Sequence, residues 1–287
     1  MSRWLLNWSV SVLCATILFA ETGHAQDFRI VRAVGPYSQG MVVENLNMVE
    51  PGSLALSLGL NRGDGVLDAI DPPTGRRVNV IDTHLALDMT LAWQQTENLR
   101  LHLSMTGSHI TGHPFGEFDG GGYQLGDTDF GVRWRLLNHR KIGLQFGLYA
   151  DLTVPTGDSD QLAGAGSTNV HFGALLSQRF DDLTFQGMVG YRHRSKAAQF
   201  ADASFGDVVD YRAGLYIPLD WPHWLMFTEV AGLLNTTSNA LAGTEPAEVF
   251  GGVTFGEFTQ VSLAYSAGLN EQGGASAHRF GMRMTHH

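Results

Sequence analysis

The stretch Ile142-Gly-Leu-Gln-Phe-Gly-Leu-Tyr-Ala-Asp-Leu-Thr-Val154 alternates at every position. Ile142, Leu144, Phe146, Leu148, Ala150, Leu152 and Val154 fall on one side. Gly143, Gln145, Gly147, Tyr149, Asp151 and Thr153 fall on the other. An extended backbone sends successive side chains to opposite faces, so the stretch predicts a strand with one apolar and one polar face. It is about twice the usual strand length. A tilted strand of that length, apolar toward one medium and polar toward another, suits the hydrocarbon core of a bilayer.

Working outward, the same pattern recurs. Leu54, Leu56, Leu58 and Leu60 oppose Ala55, Ser57 and Gly59, and Leu85, Leu87, Met89, Leu91 and Trp93 oppose Ala86, Asp88, Thr90 and Ala92. Phe130, Val132, Trp134 and Leu136 oppose Asp129, Gly131, Arg133 and Arg135, and Phe280, Met282 and Met284 oppose Arg279, Gly281 and Arg283. In the segment beginning near Met226, Leu225 and Phe227 blur the alternation. About twelve such segments follow Gly52, an even number as bacterial barrels require. Their connections alternate in length. Tight turns are expected at Gln95–Glu97, Asn138–Lys141, Asp181–Asp182, Asp220–His223 and Gly256–Phe258. Long Gly-, Pro-, Asp- and Ser-rich loops are expected at Arg62–Arg77, Gly107–Gly126, Thr156–Ser167, Ser195–Gly206 and Thr236–Pro246. The pattern predicts an all-β fold, a transmembrane antiparallel up-and-down barrel with short periplasmic turns and longer extracellular loops. A soluble sandwich or lipocalin-like barrel would put Leu inward and Arg outward, and would not alternate its loop lengths this way.

Composition agrees. Of the residues 44% are hydrophobic, only 16% are charged, and 35 are glycine. A soluble exported domain carries charge nearer a quarter of its residues. The formal charge of −10 argues against nucleic acid as a partner. At the N-terminus, Arg3, the apolar run Leu5 to Ala20, and Gly23-His24-Ala25 read as a secretory signal cut after Ala25, an uncut signal anchor being the competing reading. The single cysteine, Cys14, falls inside it, so the mature chain needs no disulfide. Residues 26–52 read as an extended segment, tucked into the lumen or lying on the periplasmic side, and 53–287 as the barrel. The expected location is the outer membrane of a Gram-negative bacterium, with lipid and the export and barrel-assembly machinery as partners.

The block Gly126-Asp127-Thr128-Asp129-Phe130-Gly131-Val132-Arg133-Trp134-Arg135-Leu136-Leu137, followed by Val154-Pro155-Thr156-Gly157-Asp158, resembles the "GD…G-x-[KR]-[YW]-[KR]-[LF]-L … P-T-G" hairpin of a group of outer-membrane barrels. That group includes the meta-pathway phenol-degradation transporters and the barrel halves of some OmpA-like proteins. The resemblance covers roughly Gly52 onward and implies a barrel architecture. Two departures are visible. No peptidoglycan-binding segment follows the barrel, and the chain ends Met284-Thr285-His286-His287 where the assembly signal has an aromatic residue, Phe280 being the nearest.

Candidate site residues lie on the polar faces. A two-residue turn at Asp220-Trp221 would set Arg212 opposite Glu229. One at Asp181-Asp182 would set His171 opposite Arg192. With symmetric loops, Asp151, His171, Arg192 and Asp210 would form one row, with Arg133, Arg135, Arg279 and Arg283 on the same face. These residues suggest either a charged constriction that filters solutes or paired charges that fill a narrow lumen. Trp93, Trp134, Trp221 and Trp224 cluster toward one end of the strands, as a periplasmic interfacial girdle would. His102 and Ser104 have the spacing of a His-x-Ser pair on one face but share it with Arg100, so two polar residues in phase is the plainer account. His109 with His113, Asp127 with Asp129, and Asp158 with Asp160 are solvated loop residues on this reading, with no metal and no cofactor expected. The function expected is passive passage of a small solute, an apolar or aromatic one included. The alternatives are a non-conducting structural barrel with a plugged lumen and, less favoured, a lipid-modifying barrel enzyme.

Overall fold

The computed structural model describes residues 36, 38–70, 77–114, 119–157, 164, 166–195, 198–200, 203–236, 245–269 and 276–287. Residues 1–25, expected to be a secretory signal, and the pair Asp158 and Asp160 lie outside them. The strands are β1 (Leu54–Ile70), β2 (Arg77–Thr96), β3 (Leu99–Gly112), β4 (Gly121–His139), β5 (Leu144–Val154), β6 (Asn169–Phe180), β7 (Leu183–Arg194), β8 (Ala198–Phe200), β9 (Ala203–Phe205), β10 (Val208–Pro218), β11 (Trp224–Asn235), β12 (Ala247–Phe255), β13 (Thr259–Gly268) and β14 (His278–His286). Twelve of them close into one barrel in the order β1-β14-β13-β12-β11-β10-β7-β6-β5-β4-β3-β2, and β8 with β9 forms a separate two-stranded hairpin between β7 and β10. Neighbours in the barrel are antiparallel, and β1 pairs both β2 and β14, so the ring has no free edge through its middle. Closure is what lets a sheet sit in hydrocarbon, since water is not there to satisfy an open edge.

The polarity is inside-out. Leu54, Leu87, Met89, Leu91, Phe130, Phe172, Val189 and Phe280 are exposed large apolar side chains, whereas Ser57, Asn61, Asp88, Arg133, His171, Asp210 and Glu229 are buried. The alternation therefore points its aliphatic half at lipid. At the turns, backbone geometry matches the residues. Phe180 pairs Leu183 across Asp181-Asp182, and Asp181 adopts φ 48°, a left-handed conformation its short polar side chain tolerates.

Several sequence expectations change: His109, Asp127 and Asp129, expected in solvated loops, lie on β3 and β4, with Asp127 buried. The segments expected as loops at Arg62–Arg77 and Gly107–Gly126 are largely strand. Strands β1 to β4 run 17, 20, 14 and 19 residues, against 9 to 12 for the other barrel strands. They continue as a projecting wall beyond the apolar band, where the outward residues become Arg62, His109 and Tyr123. A ladder that has left the bilayer no longer needs an apolar outer face, so alternation stops marking it. At the other end, the β10–β11 turn is longer than two residues. Pro218 pairs Leu225, which sets Arg212 opposite Ala231 and Glu229 opposite Gly214. The register moves by two residues, so both side chains keep their inward face.

The lipid-facing assignment predicts a depth-dependent cost. Met89→Arg, in the middle of the outer apolar band, is expected to lower unfolding free energy by about 2–4 kcal/mol, and Tyr123→Arg, above the band, by less than about 1 kcal/mol. Urea titration of protein folded into lipid vesicles measures both. Equal, small effects at the two positions would contradict the assignment.

Candidate functional site

The lumen is occupied by the chain itself. Residues 38–50 run inside the ring without strand structure, and Ser38, Met41, Val42, Val43, Glu44, Asn45 and Leu46 are all buried. Their apolar side chains find apolar patches on the otherwise polar inner wall. Met41, Val42 and Val43 pack with Tyr216, Phe227, Ala231, Phe250 and Ala264, with Leu225 alongside. Leu46 packs with Tyr149, Leu175 and Met188, and Val49 against Ala55 and Ala92. Leu225 and Phe227, which blur the alternation in the sequence, thus face inward because this segment covers them.

Polar groups anchor the segment at its backbone. The Glu229 carboxylate accepts hydrogen bonds from the backbone N–H groups of Met41, Val42 and Val43 at 2.8, 3.0 and 3.1 Å, and from the Tyr216 hydroxyl at 2.6 Å. Gly40 lies against this carboxylate, and a Cβ there would collide with the Glu229 side chain. Arg212 donates to the Val42 carbonyl at 2.7 Å, Arg283 to the Ser38 carbonyl at 2.6 Å, and Thr254 to the Gln39 carbonyl at 2.8 Å. Glu44 sits between Arg100, at 3.4 Å, and Arg133, at 3.3 Å.

From Arg133 the charged wall continues around the ring. Arg133 donates to Asp151 at 2.5 Å, and Asp151 lies 3.5 Å from both His102 and His171. His171 meets Asp210 at 2.5 Å, and Arg212 stands 3.6 Å from the other Asp210 oxygen. The predicted single row is only partly what forms. Asp151 pairs His171 and His171 pairs Arg192, but Asp210 pairs Gly190. His171 still reaches Asp210 because Gly190 has no side chain; a Cβ there would collide with the Tyr149 hydroxyl and lie 2.6 Å from His171 Nε2. Tyr149 itself is 2.9 Å from His171.

The remaining predicted residues are placed differently. Arg192 is fully buried in the wall. Arg279 belongs to a separate cluster nearer the long loops, where it donates twice to Glu248, at 3.1 and 3.2 Å, and to Ser276 at 2.8 Å. Arg135 is not among the buried charges. A bulge between Arg135 and Leu137 interrupts the ladder there, and Arg135 bonds Asn98 and the Glu97 carbonyl at the β2–β3 turn. Trp93, Trp134 and Trp221 are exposed at the short-turn end, and Trp224 stacks on Phe255 with ring centroids 4.8 Å apart. Beside Trp224 and Gln39 a cavity of about 490 Å³ opens at that end. On the long-loop side, burial pushes the Asp207 carboxyl up, yet hydrogen bonds from Tyr191, the Arg194 backbone and His193 hold it below its ordinary value. Among the described residues no three His, Cys, Asp or Glu side chains converge as metal ligands.

Sequence reasoning missed Glu44, Arg100, Tyr149, Tyr216 and Glu248 as site residues. For Tyr149 and Tyr216 the signal was present, as large rings on a face that is otherwise small and polar.

Among solved structures, an outer membrane channel from Pseudomonas putida F1 is similar with a TM-score of 0.64 at 15% identity, over 84% of this chain and 97% of that one. The KdgM porin is similar with a TM-score of 0.52 at 6% identity, over 81% and 98%. At these identities the likeness is one of fold. No curated protein matches the chain. The twelve-stranded barrel agrees with the family match over residues 74–273, more than half of the sequence, and the chain belongs to the family described as "Putative MetA-pathway of phenol degradation".

Proposed function

We propose that this protein is an outer-membrane channel for small solutes whose own N-terminal segment, residues 38–50, closes the lumen from the periplasmic side. The observation that carries this reading is how the segment is held. It lies across a ring of charged and polar side chains but adds no strand to the ladder, so it can leave without unpairing the barrel. Twelve strands enclose more room than the eight whose interior side chains alone fill the space. Yet Arg100, Arg192, Asp210 and Tyr216 show no solvent-exposed surface, so the segment and the wall fill this level together. Export through a signal cut after Ala25 would leave the segment attached to a short free N-terminus. The short turns at that end support a periplasmic orientation for it. The family description and the channel fold of the Pseudomonas putida protein support passage of a small organic molecule, aromatic compounds included.

A non-conducting barrel is the reading that competes, and the plug is what favours it. The enzyme reading draws little support. Ser104 is buried on the lumenal side and His102 is engaged with Asp151, so neither faces the lipid on which such an enzyme acts.

In planar bilayers the unaltered protein is expected to conduct rarely. Glu229→Ala removes the acceptor of four hydrogen bonds and is expected to weaken the closed state by about 3 kcal/mol, a roughly hundredfold gain in the open-to-closed ratio. Gly40→Leu, which has no room against Glu229, should also open it. If both variants stay silent while remaining heat-modifiable on gels, the barrel is non-conducting. Phospholipid vesicles carrying the protein should release no fatty acid; release abolished by Ser104→Ala would restore the enzyme.

A further inference from the structure

We propose that Arg100 and Arg133 form a carboxylate subsite in the open channel, which therefore takes small organic anions, and that Glu44 is its tethered occupant when the channel is closed. The proposal rests on the channel reading above. Arg100 on β3 and Arg133 on β4 are directly paired in register and both face inward. Like charges directly opposite each other on neighbouring strands repel, so the pair needs an anion beside it. Asp151 serves Arg133 from the β5 side at 2.5 Å. Glu44 brings a second carboxylate, whose two oxygens are divided between the two guanidinium groups at 3.4 and 3.3 Å. It comes from the plug and leaves with it.

Other plug carbonyls are held in the same sense, whereas the N–H groups of Met41, Val42 and Val43 are held in the opposite sense by Glu229. Arg100 also donates to the carbonyls of Asn45, at 3.0 Å, and Asn47, at 3.3 Å, while Arg212 and Arg283 hold further plug carbonyls. The plug therefore presents oxygens to four arginines. Once it moves aside, the sides of Arg100 and Arg133 that met Glu44 face the permeation path and can take a carboxylate from solution in its place, while Arg133 keeps Asp151 and Arg212 keeps Asp210. Arginine suits that role because its planar fork stays charged and bonds carboxylates in pairs. A small dicarboxylate or aromatic acid fits this chemistry, and an organic cation does not.

The test compares glutarate with 1,5-diaminopentane, five-carbon chains with opposite end charges. Full-length Gly40→Leu in planar bilayers at pH 7 is expected to pass chloride in preference to potassium. Glutarate added at the short-turn side should interrupt the current, and the diamine should not. Arg100→Gln is expected to weaken the glutarate effect at least roughly tenfold. Interruption by the diamine as well as by glutarate, or an unchanged glutarate effect in Arg100→Gln, would overturn the proposal. A second arm needs no current. Full-length Glu44→Ala in detergent leaves the arginine pair without its plug carboxylate, and glutarate should raise its melting temperature more than it raises that of the unaltered protein. No such difference would also overturn the subsite. A silent Gly40→Leu with the melting shift intact would instead remove the channel reading, and the permeating anion with it.

Discussion

Twelve strands closed on themselves in hydrocarbon satisfy their ladder hydrogen bonds from within, and the remaining features follow from that closure. Because the ring has a lipid side, the aliphatic half of each alternation must face outward, which leaves Ser, Asn, Asp, Arg and Gly on the inside. A polar interior of this width is stable when wet, or when something that can meet its charges fills it. Residues 38–50 do the second. They bring backbone N–H groups to Glu229, carbonyls to Arg212 and Arg283, and a carboxylate to the Arg100 and Arg133 pair.

This arrangement differs from an ordinary core in what its disruption costs. Burying charges is unfavourable unless each is paired and hydrogen-bonded, and removing one partner from a dry interior leaves the other stranded. In the channel reading proposed above, the partner that leaves is the plug, and water would take its place at the arginines and Glu229. The apolar contacts of Met41, Val42, Val43 and Leu46 with Tyr216, Phe227, Phe250 and Leu175 are what water does not replace. They hold the segment in place with no strand pairing to break. On that reading the closed state is maintained by a small hydrophobic footing and a larger set of exchangeable polar contacts, the balance a gate requires.

Much of the fold was legible because period-two alternation reports directly on which side of a strand meets lipid. Ile142 to Val154 shows this in its clearest form, and the short Asp181-Asp182 turn even set the pairing of His171 with Arg192. Legibility failed where lipid stops acting on the chain. The upper parts of β1 to β4 read as loops because outside the bilayer their outer face has no reason to be apolar. A two-residue turn at Asp220-Trp221 is shorter than the one that forms, and the resulting two-residue register shift is invisible to a pattern whose period is two. Leu225 and Phe227 looked like noise. They are the imprint of a segment nearly two hundred residues away in the sequence.

What the sequence determined by itself was the barrel, its strand number, its polarity and the inward face of most of its charges, since each depends on neighbours one or two residues apart and on the solvent. Which charges meet was settled only in three dimensions. Asp210 reaches His171 across Gly190, Arg279 turns to Glu248, Arg135 drops out at a bulge, and Glu44 bridges two arginines. Each of these depends on register, on the room a glycine leaves, or on the path of a strandless segment through the ring. Long-range contacts of that kind leave no local period in the chain.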